Sequence, residues 1–276
     1  MNKYLLLLIL ISSQLFALER VFYKAKQTKD FVESTFLIKN PMRGKERAKY
    51  RQLKEDYLTR IIIESNNKVI YNVYTSPNIA KYPIFKFRFR NSFYDDKVTV
   101  TTINNNNKNT KTVLGKNYIK SKWKVLASTD QTNMSTRDEN IYTNAKLWKI
   151  SNMDEAIIGF YGDGNFSYTN EIQIALAEIG GQSAFPIHIK STLDLESIGI
   201  FHDSNIYPTT STIAIIKVPA NAIIDYEVRF KIPYGCDINI AVVAKEKNGT
   251  VYRINRIIDV YGADMNCDGT SNGLGG

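Results

Sequence analysis

A chain of 276 residues, 43% of them hydrophobic, can bury a sizeable core and fits two domains of ordinary size. Its formal charge of +9 is unevenly spread: residues 18–126 hold 24 Lys+Arg against 9 Asp+Glu and residues 127–276 hold 11 against 18, leaving +15 and −7. Opposite charge on linked halves predicts intramolecular docking of the two rather than a nucleic-acid partner. No Cys-x-x-Cys-His attaches a haem, and the two histidines, His188 and His202, are the only imidazoles, so no cofactor or metal is called for.

The chain opens with a positive start at Lys3, an apolar run from Tyr4 to Phe16 and a small residue, Ala17. This reads as a cleaved signal peptide over 1–17, with no membrane segment after its removal. Residues 18–30 read as an exposed, Lys-rich lead. Strand-like runs follow at 34–38, 57–64, 69–74, 84–90, 97–103 and 111–118. In the fourth, Phe85, Phe87 and Phe89 alternate with Lys86, Arg88 and Arg90, which predicts a half-buried strand with a cationic outer face. Ser65-Asn66-Asn67-Lys68 and the asparagines from 104 to 109 read as hairpin turns. These runs make a first sandwich over 31–118.

Residues 119–141 are polar and aperiodic and read as a linker. Asn144 to Tyr161 then places Leu147, Trp148, Ile150, Ala156, Ile157 and Phe160 near helical spacing, with Gly162-Asp163-Gly164 as the stop. Seven strand-like runs follow, at 171–176, 184–190, 197–201, 212–218, 226–232, 238–246 and 251–261, the last two joined by Lys247-Asn248-Gly249-Thr250. The expected fold class is all-β: two immunoglobulin-like sandwiches, the second over 142–261 with one short helix at its start, then a flexible tail over 262–276.

Ile38-Lys39-Asn40-Pro41-Met42-Arg43-Gly44, a basic stretch, Asp56-Tyr57-Leu58, and Ser76-Pro77-Asn78-Ile79-Ala80-Lys81-Tyr82-Pro83 occur in that order. With the aromatic strand that follows, they resemble SoxZ, a small sandwich partner in the periplasmic thiosulfate-oxidation carrier. Asn40 stands where many relatives have His. The helix near Trp148, then Glu171 to Ile179, Phe185-Pro186-Ile187, Ile198 to Phe201 and the hairpin from Ala241 to Tyr252 resemble SoxY, the partner that carries sulfur intermediates. A SoxZ-then-SoxY fusion would account for the opposite charges.

The resemblance implies a non-catalytic periplasmic carrier. A thiosulfate-derived group would be joined through sulfur to a tail cysteine by a haem-containing oxidase, and its sulfate then released by a hydrolase. SoxY ends in Gly-Gly-Cys-Gly-Gly; an end-to-end match puts Leu274 at the carrier position, whereas a match counted from the last strand puts Cys267 there. Asp264 and Asp268 beside Cys267 would raise a thiol's pKa and repel an anion. A disulfide between Cys236 and Cys267 is the structural alternative, since an oxidising compartment favours pairing the only two cysteines. Pairing the last two strands about Asn248-Gly249 sets residue 236 opposite roughly residue 261, so Cys267 must fold back to meet it.

Other patterns are weaker. Asp264-x-Asn266-x-Asp268-Gly269-Thr270 opens like a calcium loop but has no carboxylate at its twelfth position. Asp163, Asp225, Asp237 and Asp259 show no acid-base pairing. His188 and His202 read as hydrogen-bonded sheet residues, and the Arg43 to Arg51 run as a solvated loop whose functional alternative is an anion guide or docking face for an acidic partner.

Overall fold

A computed structural model describes residues 20–117, 122–131, 140–181, 184–204, 210–220, 222–233 and 235–261. The signal segment, the whole tail over 262–276 and with it Cys267, Leu274 and the calcium-loop pattern lie outside the described residues. No helix among the described residues is long and apolar enough to cross a membrane.

The N-terminal strands are β1 (Val21–Gln27), β2 (Phe31–Ile38), β3 (Leu58–Ser65), β4 (Lys68–Thr75), β5 (Ile84–Arg90), β6 (Lys97–Asn104), β7 (Asn109–Asn117) and β8 (Lys122–Gln131). The C-terminal strands are β9 (Ile172–Leu176), β10 (Ile179–Gly181), β11 (Phe185–Ser191), β12 (Leu195–His202), β13 (Thr212–Lys217), β14 (Ala222–Phe230), β15 (Gly235–Glu246) and β16 (Val251–Tyr261). One sheet runs β1-β2-β5-β14-β11-β9, the other β10-β16-β15-β12-β13-β4-β3-β6-β7-β8. Each half is therefore a two-layer sandwich, and both layers continue from one half into the other. The junctions are antiparallel: β14 on β5, with Glu227 opposite Lys86 and Val228 opposite Phe85, and β13 on β4, with Ile215 opposite Tyr74.

The interior follows from the alternation seen in the sequence. Phe85, Phe87 and Phe89 are buried while Lys86 and Arg90 are exposed, because successive strand side chains point to opposite faces. An aromatic chain crosses the halves, from Tyr23 to Phe36 (ring centroids 4.3 Å apart), Phe36 to Phe87 (6.0 Å), Phe87 to Tyr71 (4.6 Å) and Tyr71 to Tyr226 (5.7 Å). A second apolar cluster lies on the outer face of the larger sheet. There Met153, Ala156, Ile157 and Phe160 of helix α2 (Met153–Tyr161) cover Phe201, Ile215, Ala241 and Val243. The Asn66-Asn67 turn has positive φ at both residues (50° and 55°), as a two-residue hairpin requires.

Four expectations need correction. The lead over 18–30 contains β1, whose Val21 and Tyr23 are buried and whose seven residues pair with β2. The linker over 119–141 contains β8, an edge strand held by its ladder to β7 and by Trp123 packing on Tyr23 at 4.5 Å. The helix from Asn144 is cut to nine residues, preceded by 3-10 turns at Ile141–Thr143 and Leu147–Lys149. Asn152 is the cause: its side chain accepts the Glu155 N–H at 3.0 Å and starts the helix there. Ser211 takes the carbonyls of Ile150 and Asn152, which fixes the extended break before it. A seven-residue helix, α1 (Lys45–Arg51), also occupies the basic run expected as a loop.

Candidate functional site

The motifs that drew attention in the sequence converge at the junction of the halves. Asn40 is buried and its side-chain oxygen accepts the Met42 N–H at 2.8 Å, closing a turn that holds Met42 at φ 45°. Its amide nitrogen reaches Asp56 at 3.3 Å, and its carbonyl accepts from Tyr82 N–H at 2.9 Å. The Met42 carbonyl receives a hydrogen bond from Lys231 Nζ, a residue of the C-terminal half. Gly44 lies against the second motif: a Cβ there would come within 2.6 Å of Pro77 Cβ, so the close approach requires glycine.

The Ser76 to Tyr82 segment grips the C-terminal half through its main chain. Ser76 N–H donates to Ile213 O (3.1 Å), Ala80 N–H to Arg229 O (3.0 Å), and Lys231 N–H to Asn78 O (2.7 Å). The Asn78 side chain is buried, donates to Thr210 O at 2.8 Å and lies 3.0 Å from His202 Nε2. Ser204 N–H donates to His202 Nδ1 at 3.2 Å. Burial lowers the His202 pKa to about 4, partly offset by its hydrogen bond to the Thr210 main chain. The ring is therefore neutral at pH 7, and a second proton would face the Ser204 donor. His202 is a hydrogen-bonded sheet residue, as expected, but an interior one.

The smaller sheet joins the halves differently. On its outer face Lys86 Nζ lies 2.6 Å from Glu227 Oε2, and Arg88 reaches Glu33 and Asp225, each at 2.7 Å. Asp225 also receives His188 Nε2 at 2.5 Å and lies 3.8 Å from Lys190. The cationic outer face expected of β5 is thus matched by carboxylates of β14. His188 is half-buried and belongs to this network. The hydroxyl of nearby Ser34 is committed to Tyr23 at 2.9 Å on the inner side.

The third location is the root of the tail. Cys236 is exposed at the start of β15 and is disulfide-bonded. Gly235 beside it pairs with Val260, close to the register expected from the last hairpin, and β16 leads from there towards residue 262. Asp237, at φ 54°, donates its N–H to Asp259 Oδ1 at 3.0 Å, and Asp259 N–H is held by Glu178 O at 2.7 Å. Two of the four aspartates that looked scattered in the sequence are therefore joined next to Cys236. Asp225 lies in the ion-pair network, and Asp163 follows the Gly162 that ends α2 at φ 85°. The described residues contain no group of three or more His, Cys, Asp or Glu side chains arranged to hold a metal.

Sequence reasoning identified the motif segments and the charge contrast but not their use as a clamp. The partners of Asn78 lie 124 and 132 residues away, beyond any local pattern. Comparison with known proteins bears on the same region. A family model described as "Sulphur oxidation protein SoxZ" matches residues 20–114, roughly a third of the chain. No curated protein matches. The matched span starts just before β1, runs into β7 and includes both clamp motifs, so the N-terminal sandwich is similar to SoxZ.

Proposed function

We propose that this chain is a periplasmic sulfur-compound carrier of the SoxYZ type. The SoxZ-like sandwich supports a SoxY-like sandwich in the same polypeptide, and the tail presents Cys267 to a haem-containing oxidase and a sulfate-releasing hydrolase. The observation that carries this reading is the clamp: the motif segments of the SoxZ-like span grip a second sandwich through main-chain hydrogen bonds. A covalent partner of SoxY type would occupy that position. In the loading step the Cys267 thiol loses its proton and forms a sulfur–sulfur bond to the outer sulfur of thiosulfate, and two electrons pass to the haem oxidase. In the release step water attacks the sulfonate sulfur, sulfate leaves and a persulfide remains on Cys267.

A second reading has an observation of its own. Cys236 is disulfide-bonded, and Cys267 is the only other cysteine in the sequence. In that reading the chain is a scaffold whose thiol is locked away or, with Leu274 at the carrier place, lost. Intact-mass analysis of the signal-cleaved protein after incubation with thiosulfate and the partner oxidase, with and without prior reduction, separates the two. A reductant-dependent thiosulfate adduct supports the carrier. No adduct in either condition, with the disulfide intact beforehand, supports the scaffold.

A further inference from the structure

Several basic side chains on the sheet faces have acidic partners: Lys86 with Glu227, Arg88 with Glu33, Lys245 with Glu196 and Arg253 with Asp154. Helix α1 and the turn after it are the opposite case. Residues 45–54 hold five Lys+Arg against one acid, Glu46, and among the described residues none of the five has a carboxylate partner. Lys45 and Lys49, and likewise Arg47 and Arg51, stand four residues apart, so like charges repel along the helix. Apart from Ala48, every residue from 45 to 54 is exposed, Tyr50 by 84% and Leu53 by 54%. The segment is nonetheless fixed at its base. Arg43 Nε donates to the Lys54 carbonyl at 2.6 Å, Arg43 and Asp56 exchange main-chain hydrogen bonds at 2.7 and 2.9 Å, and Gly44 is pressed on Pro77. Neither the repelling charges nor the exposed tyrosine and leucine stabilise this helix. Tyr and Arg held on a fixed element are the residue types that anchor protein interfaces.

We propose that the exposed side of α1, with the turn to Lys54, is the docking surface for the enzyme that loads the tail, and that this enzyme meets it with an acidic patch. Complementary charge speeds and orients the encounter, and Tyr50 and Leu53 hold the complex once formed. A seven-residue helix with one Tyr and one Leu offers little apolar area to a lipid surface, which favours a protein partner. Naming the enzyme rests on the carrier reading.

The test is surface plasmon resonance between the full signal-cleaved protein, reduced beforehand, and the partner oxidase, with adduct formation followed by intact mass. Lys45→Glu combined with Lys49→Glu should slow association about tenfold at low salt and hardly at all at about 0.5 M NaCl. Tyr50→Ala should speed dissociation about fivefold. Lys29→Glu combined with Lys97→Glu is the control: both lysines are exposed, Lys29 precedes β2 and Lys97 begins β6, at the end of the sandwich away from α1. That pair should change association less than about twofold. Equal slowing by both pairs, or no complex at low salt, overturns the proposal. So does an α1 pair that releases the protein from phosphatidylglycerol vesicles but leaves oxidase binding unchanged, which would identify a membrane surface. Adduct formation and binding indifferent to the α1 pair would sink the docking surface and leave the carrier reading standing. Binding that depends on α1 without any adduct would do the reverse.

Discussion

The halves of this chain meet in two chemically different seams. In the larger sheet the meeting is interior: Tyr74 opposite Ile215, with Asn78, His202 and the Thr210 carbonyl hydrogen-bonded beside them. In the smaller sheet the inner face is aromatic and the outer face is a ladder of half-exposed ion pairs, Lys86 with Glu227 and Arg88 with Glu33 and Asp225. A buried polar seam is expensive to break because each lost partner leaves an unsatisfied group, whereas an exposed ionic seam is screened and contributes little. The charge contrast between the halves is the more visible feature, and the neutral seam is the stronger one.

The largest effect should come from cutting the aromatic chain that both seams enclose. Tyr226→Ala removes a fully buried ring packed on Tyr71 and should cost about 3–5 kcal/mol in urea unfolding. Tyr226→Phe should be neutral or stabilising, since the Tyr226 hydroxyl is buried with no partner among the described residues. Next comes pH. The folded-state pKa of His202 lies near 4, below its ordinary value of 6.5, so its contribution is complete above pH 6.5 and is lost as pH falls towards 4. That window should remove up to about 3 kcal/mol, and a His202→Gln variant should lack this slope. Asn78→Ala, which removes a buried donor from the Thr210 carbonyl, should cost about 1–3 kcal/mol. The smallest effect belongs to the ionic seam: Arg88→Met should cost about 1 kcal/mol at low salt and less at about 1 M NaCl. An Arg88→Met loss larger than that of Asn78→Ala would reverse the ranking of the seams.

What the sequence revealed and what it hid divide along the same lines. The alternation from Phe85 to Arg90 marks its strand to the residue, because period two follows directly from the pleat. The strand β8 was hidden, since the alternation of Trp123 and Val125 with Lys122 and Lys124 stops at Leu126, where the register shifts, and its stability comes from a hydrogen-bond ladder that local composition does not record. The missed β1 was more readable: Val21, Tyr23 and Ala25 do alternate with Phe22, Lys24 and Lys26. Pairing between the halves could be inferred only as charge complementarity, because Lys86 and Glu227 stand 141 residues apart. At the candidate site the motif residues were recognisable one by one, while the Lys231 contact with Met42 spans 189 residues and has no local signature. Cys236 was visible as one member of a pair, but Asp259 reaches the N–H of the adjacent Asp237 only through the register of the last hairpin.

That register gives the carrier reading its sharpest test. If Cys267 carries the sulfur group and its bond to Cys236 withholds it, Cys236→Ser should take up a thiosulfate adduct from the partner oxidase without any reductant. The wild type should need reduction first, and Cys267→Ser should take up none, each read by intact mass. An unreduced Cys236→Ser protein that stays unmodified, or a Cys267→Ser protein that carries the adduct, would contradict the account.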